Sequence, residues 1–188
     1  MKDTIRTFIA IKISSEEKLK GQLQSLKTLF KDERINWVDP DNFHLTLRFL
    51  GETSREQLNL LHPKLQQLSS QFKQFNFDIS GLDTFGNKGN PRVLFVNIQF
   101  PEELEKLVKD IENAVVSVGF HSELKPFRPH LTLGRIKHLS NRSLFIKEVN
   151  QIPNSNYQSV QVSEIILYQS ILRPSGPEYK PIHKYSLQ

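Results

Sequence analysis

Asn42-Phe-His-Leu-Thr-Leu-Arg-Phe-Leu-Gly-Glu52 and Phe127-Arg-Pro-His-Leu-Thr-Leu-Gly-Arg135 contain the same tetrapeptide, His-Leu-Thr-Leu, at 44–47 and at 130–133. The two copies are 86 residues apart, 130 minus 44. Carried back along the chain, that offset lays Arg6-Thr-Phe-Ile-Ala-Ile-Lys-Ile over Arg92-Val-Leu-Phe-Val-Asn-Ile-Gln, and Glu16-Glu17 over Glu102-Glu103. Three features holding one offset without a gap mark a duplication, and two similar halves are expected to pack about a pseudo-twofold axis.

Around the first tetrapeptide, residues 4–13 are rich in β-branched and aromatic side chains and predict a strand. Ser14 or Ser15 can cap a helix carrying Glu16 and Glu17 in its first turn and an apolar stripe at Leu19, Leu23, Leu26 and Phe30. Residues 35–38 predict a short strand, Pro40-Asp41-Asn42 a turn, and 43–50 a strand ending at Gly51. Ser54 caps a second helix with its stripe at Leu58, Leu61, Leu65, Leu68 and Phe72, followed by a strand from Phe75 to Leu82. Asp83 to Pro91, with Gly86, Lys88 and Gly89, reads as a loop between the halves and a rim over the cleft they form. It is no phosphate-binding P-loop, because the Gly-Lys-Ser/Thr ending is missing.

In the second half, a strand is expected at 92–99 and a helix opened by Pro101 with Leu104, Leu107, Val108, Ile111 and Val115 inward. Then come a strand at 130–136, a helix near 140–149, a strand from Val160 to Gln169, a turn-rich loop from Arg173 to Pro177 and a closing strand from Tyr179 to Leu187. The order strand, helix, strand, strand, helix, strand is thus expected twice. It predicts an α+β fold, a bilobal pseudo-twofold duplication of two mostly antiparallel sheets with helices packed outside. A tandem pair of ferredoxin-like units gives the same order, and periodicity does not separate the two. The expected organisation is a single domain over 1–188, made of packed lobes at approximately 1–85 and 86–188, with strand exchange between them left open.

Composition narrows the class. At 37% hydrophobic and 24% charged residues the chain is ordinary for a globular protein, and no run of eighteen apolar residues would span a membrane. The start at Met1 reads as a first strand and not as a signal peptide, since Lys12 breaks its short apolar run. Without cysteine there are no disulfides, thiolate metal sites or thiol nucleophiles, and a cytoplasmic protein is expected. Twenty-five basic against twenty acidic residues give a net charge of +5, which favours an anionic partner such as RNA, although no polybasic arm is present.

Along a strand, side chains alternate faces. His44 and Thr46 therefore share one face, and His130 and Thr132 repeat the layout, while Leu45, Leu47, Leu131 and Leu133 turn inward. If the halves present these faces to each other, two imidazoles flank one cleft. Opening a phosphodiester needs such a pair, because an attacking water must lose a proton while the leaving ribose oxygen gains one. Histidine suits both tasks, with an ordinary pKa of about 6.5. The threonine hydroxyls can donate to the non-bridging phosphate oxygens. No cofactor and no metal are called for, as no cluster with metal-ligand spacing is apparent.

With both tetrapeptides in view, the chain resembles the two-histidine phosphoesterase superfamily, and within it the RNA 2′,3′-cyclic phosphodiesterase branch, also called 2′-5′ RNA ligase. The paired His-x-Thr-x motifs carry the resemblance, with Arg6-Thr-Phe-Ile-Ala-Ile11, Asn36-Trp-Val38 and the two stretches quoted first. It implies a bilobal fold with both motifs on a central cleft, and hydrolysis of a terminal RNA 2′,3′-cyclic phosphate to a 2′-phosphomonoester. It also implies His44 as proton donor and His130 as proton acceptor; the residues themselves leave that order open. The expected partners are RNA ends or oligonucleotides, with no membrane and no obligate protein partner, and a monomer, because one chain supplies both histidines. Related chemistries use the same pair, namely 2′-5′ ligation or cleavage and other cyclic nucleotides. An RNA-binding module without turnover is the alternative of another class.

Further candidates follow from position. Arg128, just before Pro129-His130, can reach the phosphate as a fork-shaped donor. Arg48 shares the parity of His44 and is expected on the cleft floor, whereas Arg135 has the opposite parity to His130 and is expected to turn away from the cleft unless a bulge or twist intervenes. Arg6 and Arg92 occupy equivalent points of the repeat. Phe43, Trp37, Phe85 and Phe127 are candidate stacking platforms for a base. His62, His121, His138 and His183 lie outside any repeated motif, and His62 is expected to face solvent from its helix.

Overall fold

The computed structural model describes residues 4–87, 89–174 and 176–188. The first half runs β1 (Thr4–Lys12), α1 (Glu17–Leu29), β2 (Arg34–Trp37), a 3-10 turn (Pro40–Asn42), β3 (His44–Ser54), α2 (Arg55–Ser69) and β4 (Phe75–Asn87). The second runs β5 (Asn90–Ile98), α3 (Glu102–Val116), β6 (His130–His138), α4 (Arg142–Gln151), β7 (Asn156–Val162), β8 (Glu164–Arg173) and β9 (Gly176–Ser186).

The strands form two sheets, ordered β3-β1-β8-β9 and β2-β6-β5-β4-β7, with every ladder antiparallel. Without β2, the second sheet repeats the pattern of the first, since β3 beside β1 matches β6 beside β5. Each sheet borrows strands from the other half: β8 and β9 lie beside β1, whereas β2 and β4 join β6 and β5. Two independent ferredoxin-like units are therefore ruled out, and the α+β duplication stands. Among the described residues no helix is long and apolar enough to cross a membrane.

The helices cover the outer faces. Leu19, Leu23 and Leu26 of α1, Leu61, Leu65 and Leu68 of α2, and Leu104, Leu107, Ile111 and Val115 of α3 are buried, as the stripes require. They meet Leu45, Leu47, Leu131 and Leu133, all buried in one continuous core. Burying such side chains supplies about 1.5–3 kcal/mol each. With the leucines fixed on the helical side, the period of two forces His44, Thr46, His130 and Thr132 onto the opposite face.

Several boundaries differ from those expected. Ser54 caps α2 in a reciprocal box with Gln57, but neither Ser14 nor Ser15 caps α1. Its first amide, Glu16 N–H, donates at 2.9 Å to the buried Gln158 side chain of β7, whose own amide donates to the Ser14 carbonyl. A tertiary contact thus replaces the local cap. The strand at 43–50 does not stop at Gly51 but continues to Ser54, because Gly51 takes a φ of 72° at an irregularity in the β1–β3 ladder. The expected loop at 83–91 is mostly a hairpin of β4 and β5; Pro91 sits opposite Gly86 beside a register shift, which absorbs the missing N–H. Lys88 lies outside the described residues.

In the second half the stretch before β6 forms no strand, since Pro126 and Pro129 remove ladder donors there. The expected order is therefore met only in the first half. The single strand expected at 160–169 is two, β7 and β8, parting at Ser163 to join different sheets. No Gly, Pro or Asn marks the crossing between Val160 and Gln169, so the two pieces read as one strand. Of the loop expected at 173–177, Arg173 ends β8 and pairs with Gly176, where β9 begins, and Ser175 lies outside the described residues.

Gly134 shows how closely β2 is docked on β6. A Cβ at this position would stand 2.7 Å from Ile35 Cγ2 and 3.2 Å from Trp37 Cε3. Gly134→Ala is expected to cost about 1–3 kcal/mol through overpacking and to change the emission of Trp37, the only tryptophan. Thermal unfolding and fluorescence check this; an unaltered melting temperature and spectrum would contradict the packing described.

Candidate active site

His44 and His130 are the first residues of β3 and β6. In each, the chain enters the strand through a constrained segment, the Pro40–Asn42 turn on one side and Pro129 on the other. This entry aims a backbone carbonyl back at the ring. His44 Nδ1 lies 2.7 Å from the Asn42 oxygen, and His130 Nδ1 lies 2.7 Å from the Arg128 oxygen. A carbonyl can only accept, so Nδ1–H is the donor in both rings, and Nε2 of the neutral imidazole keeps its lone pair.

Aromatic side chains hold the rings from the side. Phe8 and Tyr179 each sit 5.1 Å from the His44 ring centroid, and Phe85 and Phe95 sit 4.7 and 5.4 Å from that of His130. Three of these contacts are edge-on, the arrangement aromatic quadrupoles favour. Both histidines and both threonines line one cleft of about 1220 Å³ between the sheets.

A pair of matched bulges then sorts the arginines. On β3, Thr46 pairs with Ala10 and Arg48 with Ile9, leaving Leu47 without a partner. On β6, Thr132 pairs with Phe95 and Gly134 with Leu94, leaving Leu133 without one. Two successive residues of each strand therefore point to the helical side, and the parity beyond them is reversed. Arg48 is consequently absent from the cleft floor where alternation put it. Its side chain is 12% exposed, with Nε 2.6 Å from Glu112 of α3 and its terminal nitrogens on the Phe49 and His121 carbonyls. The same bulge turns Arg135 into the cleft wall.

The remaining candidates divide. Trp37, Phe85 and Arg6 line the cleft. Phe43 does not, being wholly buried in the core, so it cannot receive a base. Phe127 packs against Phe100 and the core, and Arg92 is exposed away from the cleft lining. Arg128 offers its carbonyl to His130 while its guanidinium lies 4.9 Å above the Phe85 ring and 4.0 Å from the Asp83 carboxylate, at the rim. His62 is exposed, as expected, but its Nδ1 lies 3.2 Å from the Tyr185 hydroxyl and its ring packs on His183. Phe8, Phe49, Leu172, Arg173, Glu178 and Tyr179 also line the cleft, and no local pattern in the sequence points to them. Most of them arrive with β8 and β9, and nothing near those strands in the chain says that they cross to β1.

The electrostatics of the pair are one-sided. Burial lowers the His44 pKa below its ordinary value; the Asn42 carbonyl opposes this, and the charges of Lys12, Arg135 and His130 add to the lowering. Burial also lowers that of His130, opposed by the Arg128 carbonyl and reinforced by the Arg128 and Arg135 charges. In the free protein both rings are thus biased to the neutral form in a positive field. An anion placed between them reverses that bias.

A comparison with known proteins agrees with this geometry. The model of the LigT-like phosphoesterase family matches twice, over residues 11–95 and 96–179. An RNA 2′,3′-cyclic phosphodiesterase of Thermotoga maritima is 32% identical over 181 residues, 96% of this chain and 94% of that protein. One of Archaeoglobus fulgidus is 31% identical over 183 residues, covering 96% and 99%. Among solved structures, Escherichia coli LigT complexed with 3′-AMP superposes with a TM-score of 0.78 at 25% identity, over 99% of each chain. The chain belongs to the two-histidine phosphoesterase superfamily, in its LigT-like RNA 2′,3′-cyclic phosphodiesterase branch.

Proposed function

We propose that this protein hydrolyses the 2′,3′-cyclic phosphate at an RNA end to a 2′-phosphomonoester without a metal ion. The observation that carries the reading is the pair of imidazoles in one cleft, each with Nδ1 bound to a backbone carbonyl. Both proton transfers are then available from side chains, and among the described residues no three His, Asp or Glu side chains converge as metal ligands.

The reaction needs a base and an acid on opposite sides of phosphorus. His130, neutral, takes a proton from the attacking water through Nε2; a P–O bond forms as the P–O3′ bond breaks, and His44, protonated, delivers its proton to O3′. The cyclic phosphodiester carries one negative charge, which draws a proton onto His44 despite the field of Lys12 and Arg135. Thr46 and Thr132 donate to the non-bridging oxygens, and Arg135 offers its guanidinium fork to the same charge. After turnover His130 holds the extra proton, and exchange with solvent restores the starting state. The order of roles follows the family resemblance, because the pair is nearly symmetric until a nucleoside occupies one side.

Changing either histidine to alanine is expected to lower kcat on the order of 10²-fold or more with little change in KM, and EDTA should leave the rate unaltered. Steady-state kinetics on an oligonucleotide with a cyclic end, with the monoester product identified, check both; full turnover by His44→Ala would end the assignment.

The pKa directions fix a second outcome. The base must be neutral, so the rate rises with pH through its pKa; the acid must be charged, so the rate falls through the other. Both pKa values are lowered in the free protein, which places the optimum of kcat/KM below pH ~6.5, the ordinary histidine value. Bound phosphate raises that of the acid, so the kcat optimum should lie higher. Arg135→Gln removes a positive neighbour from both rings, and should move both histidine titrations, followed by NMR, to higher pH. Titrations that stay in place would contradict the field described.

A further inference from the structure

We infer that the end of the cleft walled by Arg6, Phe49, Leu172 and Arg173 is a subsite for nucleotides on the 5′ side of the cyclic phosphate. The substrate is then a single strand lying along the first sheet, and a mononucleotide fills only part of the site. The inference rests on the cyclic-phosphate reading above and adds the direction in which the RNA runs.

Four observations support it. A cleft of about 1220 Å³ exceeds the 300–1,000 Å³ that suits a drug-sized ligand. Its far wall carries two bare apolar surfaces, Phe49 at 62% and Leu172 at 67% exposure. Apolar and aromatic platforms of this kind receive bases in single-strand recognition, because every base has a π-face.

The third observation concerns the flanking cations. Arg6 and Arg173 both approach carboxylates through Nε, Arg6 at 4.0 Å from Glu52 and Arg173 at 2.9 Å from Glu178. Such exposed pairs contribute little on their own, and they leave the terminal guanidinium edges to meet a phosphate. Glu178 also lines the cleft, and its charge is met by Arg173 and by Lys180 at 3.3 Å.

The fourth is distance and direction. Arg6 lies two residues along β1 beyond Phe8, whose ring centroid is 5.1 Å from that of His44, a step of about 7 Å at ~3.3 Å per residue. If His44 protonates O3′, the ribose sits on the side of the first sheet, and its 5′ oxygen has this wall before it. A strand bound this way makes the two histidines inequivalent, with the nucleosides on the side of His44.

The test compares kcat/KM for a mononucleoside 2′,3′-cyclic phosphate and for a trinucleotide with the same cyclic end. Wild type is expected to prefer the trinucleotide by about tenfold or more, the scale of one stacked base. In the Leu172→Ala/Arg173→Gln variant that ratio should fall toward one. The single variant Arg173→Gln should also flatten the salt dependence for the trinucleotide, by about 0.7 in the log–log slope for each phosphate that Arg173 neutralises. Equal use of both substrates by wild type, or a ratio and salt slope untouched in the variants, overturns the subsite and leaves the reaction standing. Failure of wild type to hydrolyse either substrate overturns the reaction reading, and the subsite with it.

Discussion

The Nδ1–H bond from an imidazole to the carbonyl two residues before it, made twice, governs this cleft. It commits one ring nitrogen of His44 to Asn42 and one of His130 to Arg128. That fixes the tautomer and leaves each ring a single nitrogen with which to exchange a proton. The bond depends on the backbone bending sharply just before each strand, which the Pro40–Asn42 turn and Pro129 provide. It depends also on the leucines of each tetrapeptide, whose burial keeps the histidine face turned away from the helices.

The two lobes are alike at the tetrapeptides and unlike just beyond them. Both carry the same bulge one residue after the threonine. In the first lobe the residue turned toward the helices is Arg48, tied to Glu112 of α3 and to the His121 carbonyl at the start of the segment leading to His130. In the second it is Gly134, and the freed space is taken by β2 with Trp37. Two residues after the bulge stand Phe49 in one copy and Arg135 in the other, both on the cleft. An apolar side chain and a guanidinium thus hold equivalent places about the pseudo-axis, both on the cleft lining.

Much of this was legible in the chain. The 86-residue offset marked the duplication, the helical stripes marked the buried faces, and strand parity set His44 with Thr46 and His130 with Thr132, two pairs that the packing of the halves brings to one cleft. What escaped was mostly non-local. Strict alternation placed Arg48 in the cleft and Arg135 outside it, because a bulge leaves no mark in the order of residue types. Phe43 looked like a platform but shares the parity of Leu45 and Leu47 and is buried with them in the core, which parity alone could have shown. Tyr179 of β9 meets His44 only because β8 crosses from one half to pair with β1 of the other and carries β9 with it, a swap that no turn residue marks around Ser163. The cap of α1 by Gln158 spans 142 residues and could not be seen locally.

Whether the two rings serve one phosphorus can be observed directly. Titrating a 2′-phosphomonoester into the ¹⁵N-labelled protein and following both histidine Nε2 resonances measures it. A shared anion predicts that the two signals move together and saturate with one Kd at a single equivalent. Movement of one ring alone, or two separate affinities, would show that the imidazoles do not face the same phosphate.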